Sequence, residues 1–188
     1  MLVLSDSKNS SFDCSKFKSP VVAFRENLFL LRDLEQHSEA IKCSDIVLVS
    51  AGINDMKKNG VDARMLHDHV RNFVEQHPNT QFLFDAVSPV TMNADPFHVL
   101  NTNIDRFNEL MFKCSLRHDN FKLFDNLNFS LAHLSRDGLH FNLSGQRVTS
   151  ECWVHVVLVR LGLRRGSLPI RQNFVKIYND FQPSPFGS

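Results

Sequence analysis

Tryptophan and tyrosine are almost missing from this chain of 188 residues, which has one of each against 17 phenylalanines. Phenylalanine carries no polar handle, so these rings are expected to pack a core. Cysteine is sparse as well. Cys14, Cys43, Cys114 and Cys152 are far apart and form no Cys-x-x-Cys pair, which argues against zinc and against a disulfide framework. That usage fits a reducing compartment, and the expected location is intracellular and cytoplasmic. No run approaches about 18 apolar residues, so no membrane-spanning helix is expected. Neither sign of charge prevails. Lys and Arg number 21, Asp and Glu 20, and a net charge of +1 gives no global pull towards nucleic acid or an anionic membrane. Met1-Leu2-Val3-Leu4 is too short for a signal peptide and has no basic n-region. It already reads as a core strand, as would be met in a piece of a longer polypeptide.

The chain is 43% hydrophobic and 22% charged, and its length suits one domain with a core of useful size. Short continuous apolar runs predict strands at Leu2–Leu4, Val21–Phe24, Ile46–Ser50, Gln81–Val87 and Phe121–Phe124. Near-helical spacing of Leu28, Leu31, Leu34 and Ile41 predicts a helix from Arg25 to about Ile41. Further helices are predicted from Val61 to His77, before Pro78, and from about Val99 to Leu116. A last helix is capped by Asn142 or Ser144 and runs to about Leu161, with Val148, Cys152, Val156 and Val159 on one stripe. Residues 8–19 are polar and Ser-rich, with no helical period. Alternating strands and helices predict a parallel five-stranded sheet with helices on both faces. Residues 1–163 form the expected domain and 164–188 an extended C-terminal tail.

In an open parallel sheet, ligands bind beyond the carboxyl ends of the strands. Three polar groups are expected there: Asp6-Ser7 after the first strand, Gly52-Ile53-Asn54-Asp55 after the third, and Asp137-Gly138-Leu139-His140 after the fifth and a loop. A serine hydroxyl is a poor nucleophile at neutral pH and needs a base, which in turn needs a group to fix its tautomer. His140 suits the base, Asp137 its orienting partner and Ser7 the nucleophile. Asn54 can point its amide at a developing oxyanion.

The set Ser5-Asp6-Ser7, Gly52-Ile53-Asn54-Asp55 and Asp137-Gly138-Leu139-His140, in this order and spacing, resembles the SGNH, or GDSL-type, hydrolase superfamily. The likeness runs from about Met1 to Leu161. Ser88-Pro89, Asn103 and Asn108 also resemble that family's fourth-strand region. The resemblance implies a flavodoxin-like, three-layer α/β/α sandwich and an ester or acyl hydrolase. It implies Ser7 as nucleophile, His140 as base, Asp137 as its partner, and an oxyanion hole of Ser7, Gly52 and Asn54. Two departures stand out. Ser5 replaces the glycine of the first motif, and no glycine precedes Gly52, whereas the family has an oxyanion-hole glycine just after the second strand. The matching place is near Phe24-Arg25-Glu26, and Arg25 is expected to enter the vacant space and bind an anionic group.

Two functions are weighed. The first is a serine-dependent esterase acting on a small ester or an acylated carbohydrate or lipid, with no metal and no organic cofactor. The second is an inactive domain of the same fold that binds RNA or a protein partner. The intact Ser7, Asn54, Asp137 and His140 favour the enzyme. The absent early glycine and the basic residues Arg160, Arg164, Arg165, Arg171 and Lys176 favour the module, although such clusters are usually solvated or complement a helix end.

Overall fold

A computed structural model of the chain describes residues 1–6, 12–17, 21–57, 61–91 and 96–169, with the side chains of 96–98 left aside. Five strands form one sheet: β1 (Leu2–Ser5), β2 (Phe24–Asn27), β3 (Ile46–Ser50), β4 (Gln81–Asp85) and β5 (Phe121–Phe124). All neighbours are parallel, in the spatial order β2-β1-β3-β4-β5. Side chains alternate between the two faces. Leu2, Leu4, Val47, Val49, Phe82 and Phe84 enter one core, and Val3, Leu48, Leu83 and Phe124 the other. The inner strands must be apolar on both sides because both faces are covered, which explains their unbroken Val, Leu and Phe runs.

Helices α3 (Ala63–Gln76) and α4 (Pro96–Ser115) cover the first face, and α5 (Leu143–Arg160) the second. Asp62 caps α3 by accepting from the Met65 N–H at 2.8 Å. Asn142 caps α5, accepting from the Gly145 N–H at 2.9 Å. The result is the three-layer α/β/α architecture expected from the alternation of elements.

The segment after residue 20 departs from expectation. Val21–Ala23 are not a strand, and Val22 is 66% exposed. The second strand is β2, at Phe24–Asn27, and the residues expected to begin a helix belong to it. The open edge of β1 supplies the reason: its backbone groups take Phe24 through Asn27 as partners in register. An edge strand is recorded by backbone pairing, and β2 is largely exposed, so hydropathy does not mark it. A 3₁₀ turn at Leu31–His37 and a short helix α1 (Ser38–Lys42) follow. Leu28, Leu31, Leu34 and Ile41 are all fully buried, so the apolar spacing is genuine, but no single helix joins them. A further short helix, α2 (Ile53–Met56), follows β3.

The polar stretch 8–19 also contributes to packing. Phe12 and Phe17 are buried on the α5 face, with the Phe12 ring centroid 4.7 Å from that of Trp153. Of residues 164–188, those up to 169 are described. Leu168 packs against the second core, and the Pro169 carbonyl accepts from the Asp125 N–H at 2.8 Å. Arg171 and Lys176 lie outside the described residues. Among the described residues, no helix is long and apolar enough to cross a membrane.

Candidate active site

The carboxyl ends of β1, β3 and β4 open into a small cleft whose lining includes Asp6, Ser50, Ile53, Asp85, Val87 and Phe141. Asp6 is 4% exposed, and its N–H donates to the Ser50 carbonyl at 3.1 Å, extending the pairing of β1 with β3 to the rim. Ser7, the expected nucleophile, is the next residue and lies outside the described residues. Beneath the rim, the Asp85 carboxylate accepts from the Ser50 hydroxyl at 3.0 Å and from the Trp153 indole N–H at 3.0 Å. The lone tryptophan thus ties α5 to the cleft floor, and its polar edge has a partner, as burial requires.

Asp137 and His140 meet in a turn on this side of the sheet. Asp137 Oδ1 accepts from the backbone N–H groups of Leu139 at 2.9 Å and His140 at 3.0 Å, while Oδ2 lies 2.6 Å from His140 Nδ1. Aspartate suits this place because its short side chain bonds its own backbone two and three residues on. With three bonds made to the ionised form, led by the one from His140, the Asp137 carboxyl is held down at about 2. Gly138 has φ +65°, a left-handed conformation that glycine adopts without strain. The two side chains are 43% and 49% exposed for His140 and Asp137, so the imidazole is reachable from solvent. Phe141, the next residue after His140, lines the cleft and so brings the backbone of His140 to its edge.

The piece that follows is fixed by the Asn142 carboxamide. It accepts from Gly145 and donates to the carbonyls of Ala132 at 2.8 Å and Leu134 at 3.1 Å. A Cβ on Gly145 would run into the His133 carbonyl oxygen, which accounts for glycine so early in α5. His133 itself uses Nδ1 to accept from the Ser130 N–H at 2.9 Å.

Across the cleft, Gly52 begins α2 with φ +127°. Asn54 is half-buried, and one of its amide N–H groups donates to the Phe29 carbonyl at 3.2 Å. Its neighbour Asp55 is fully buried. Asp55 Oδ2 accepts from the Leu31 N–H at 2.8 Å, and Arg32 Nε stands 3.7 Å from Oδ1. Burial pushes the Asp55 carboxyl above its ordinary value, opposed by the Leu31 amide and the Arg32 cation. Asp55 was legible in the sequence only as part of a motif, yet here it clamps the segment after β2 to α2.

That segment also corrects the place assigned to the missing glycine. Because β2 ends at Asn27, the residues just beyond it are Leu28-Phe29-Leu30, not Phe24-Arg25-Glu26. Arg25 lies within β2, half-buried. Its Nε donates to the Ser5 hydroxyl at 3.0 Å and its Nη2 to Asn27 Oδ1 at 2.9 Å. Of the two asparagines singled out on α4, Asn108 bonds the loop after β4, whereas Asn103 bonds Ala63 and Val61 at the start of α3. Asn101, which belongs to no motif, bonds the same loop as Asn108. The available signal was an amide recurring two turns apart within an otherwise apolar helix stripe.

No protein-family model matches the sequence, and no curated protein matches it. Solved structures do match in shape. An acetyl xylan esterase, AlAXEase, superposes with a TM-score of 0.65 at 18% identity, over 83% of this chain and all (100%) of its own. A member of the lipolytic G-D-S-L family from Veillonella parvula gives 0.63 at 14% identity, over 87% of this chain and 98% of that one. A carbohydrate esterase family 3 protein from Talaromyces cellulolyticus gives 0.64 at 13% identity, over 87% and 98%. The likeness is one of fold, and the chain has the three-layer architecture of the SGNH, or GDSL-type, esterases.

Proposed function

We propose that the protein is a serine-dependent ester hydrolase, and the observation that carries this reading is the 2.6 Å contact between Asp137 and His140 at the cleft rim, on a sheet whose first strand leads into Ser7. In the proposed reaction, Ser7 Oγ attacks the ester carbonyl while His140 Nε2 takes its proton. Asp137 holds the other ring nitrogen and stabilises the imidazolium that forms. The carbonyl oxygen becomes an oxyanion, and the second N–H of Asn54 donates to it, beside the backbone of Ser7 and Gly52. When the C–O bond breaks, His140 returns the proton to the departing alcohol. Water then repeats the sequence on the acyl-enzyme, releasing the acid and regenerating the serine. The substrate class we assign is a small ester, or an acyl group carried on a carbohydrate or lipid; two of the superposed structures are an acetyl xylan esterase and a carbohydrate esterase.

A fluorophosphonate probe tests the reading. The unaltered protein should be labelled, and Ser7→Ala should abolish labelling without changing the melting temperature. One observation favours the second reading, a binding module: Leu28-Phe29-Leu30 follow β2, so the oxyanion-hole glycine that the SGNH resemblance implies there is absent. Absent labelling of folded protein, together with RNA affinity that falls steeply with salt, would replace the hydrolase by that module.

A further inference from the structure

Two asparagines interrupt the apolar stripe of α4. Ile104, Phe107 and Met111 on this stripe are 0%, 2% and 1% exposed, and Asn101 and Asn108 are 1% and 3% exposed. A carboxamide so deeply buried is costly unless both its ends are bonded. Each is satisfied by a single residue of the loop after β4. Asn108 accepts from the Val87 N–H at 2.9 Å and donates to the Val87 carbonyl at 2.9 Å. Asn101 does the same for Val90, at 3.1 and 2.9 Å. The side chains imitate strand pairing and fix both polar groups of two loop residues.

That loop is wedged between the two halves of the site. At one end, a Cβ on Gly52 would stand 3.2 Å from Val87 Cγ2. At the other, the Thr91 N–H donates to the Gly138 carbonyl at 2.8 Å, and a Cβ on Gly138 would come within 2.6 Å of the Thr91 carbonyl carbon. Gly52 opens the helix that carries Asn54, and Gly138 belongs to the turn that carries His140.

We infer that Asn101 and Asn108 are positioning residues: by pinning Val90 and Val87 they make residues 86–91 a fixed spacer that sets the separation of His140 from Asn54. The catalytic consequence rests on the hydrolase reading; the placement of His140 does not. Misplacing a reacting group by about 1 Å can cost about a hundredfold in rate, so a remote amide can matter to turnover.

Asn103 is the control. It lies on the same helix and also bonds backbone through both ends of its amide, accepting from the Ala63 N–H at 2.8 Å and donating to the Val61 carbonyl at 3.3 Å, but it holds the start of α3 and not the spacer. Asn101→Ala, Asn108→Ala and Asn103→Ala are compared for melting temperature, for kcat and KM on p-nitrophenyl acetate, and for the imidazole signals of His140 by NMR. Asn101→Ala and Asn108→Ala should lower kcat by about tenfold to a hundredfold with KM within about twofold. Asn101→Ala should also move the His140 signals. Asn103→Ala should lower the melting temperature while leaving kcat within about twofold and His140 unmoved. If Asn101→Ala does not fold, Thr91→Pro removes the N–H bonded to Gly138 from a half-buried loop and should move His140 likewise. Loss of kcat in proportion to melting temperature in all three variants, with His140 unmoved, overturns the inference. Unaltered protein that cleaves no ester and takes no probe, with the His140 signals still moved by Asn101→Ala and not by Asn103→Ala, removes the hydrolase reading and keeps the positioning role.

Discussion

On one side of the cleft, Asp137 and His140 meet at 2.6 Å within a turn, each with a little under half of its side chain in solvent. On the other, Asn54 and Asp55 reach partners 25 and 24 positions away in the chain, and Asp55 is fully buried. The first arrangement forms its hydrogen bonds locally, so its geometry depends little on the core. It needs the fold only to be put in the right place. The second creates its geometry through the fold, by burying a carboxylate where the N–H of a distant segment must come to it. The two carboxyls register this in opposite directions: three hydrogen bonds, led by that from His140, hold Asp137 at about 2, while desolvation pushes Asp55 upwards.

Substitutions that separate chemistry from stability sharpen the contrast. The largest effect is expected from His140→Ala. If the imidazole is the general base, kcat should fall by about a thousandfold or more. With 43% of the side chain exposed, the melting temperature should change little. A parallel loss of stability would show that the turn is as deeply integrated as the opposite side, and the contrast would fail.

Asp55→Ala should act the other way. It leaves the buried Leu31 N–H without its acceptor, at a cost of about 1–3 kcal/mol, readable by urea unfolding. Asp55→Asn retains an acceptor oxygen in the same shape and should recover most of that loss. If Asp55→Ala instead left stability intact and reduced turnover alone, its place would be in the chemistry and not in the clamp.

How much of this could be read from the residues alone follows from the same distinction. The Asp137–His140 pair was legible because both partners sit within one turn and their spacing fixes the contact. The inner strands were legible because burial on both faces leaves an apolar run. β2 was misplaced because an exposed edge strand is defined by the backbone of its neighbour, which side-chain hydropathy does not record. The buried roles of Asp55, Asn101 and Asp85 escaped for a related reason. Each acts through a bond to a residue distant in sequence, and nothing local tells a buried, satisfied polar side chain from an exposed one. The glycine missing after the second strand was read correctly as an absence, but its location shifted with β2.

The smallest expected effect concerns acid. Asp137 has its folded value depressed from 3.8 to about 2, so its contribution is fully present above its unfolded value and disappears as pH falls through about 2. Asp55 has its folded value raised, so whatever stability depends on its protonated form is present below the unfolded value and declines as pH rises through the folded one. Unfolding measured across the acid range in Asp137→Asn should therefore lose a component that stabilises the parent as pH increases from about 2 to 4. In Asp55→Asn it should lose a component of opposite slope, centred higher. Because Asp137 is exposed and screened, its component should be shallow. Equal slopes of the same sign in the two variants would mean that both carboxyls sit in one kind of environment, and the division of the rim into a local half and a buried half would have no electrostatic basis.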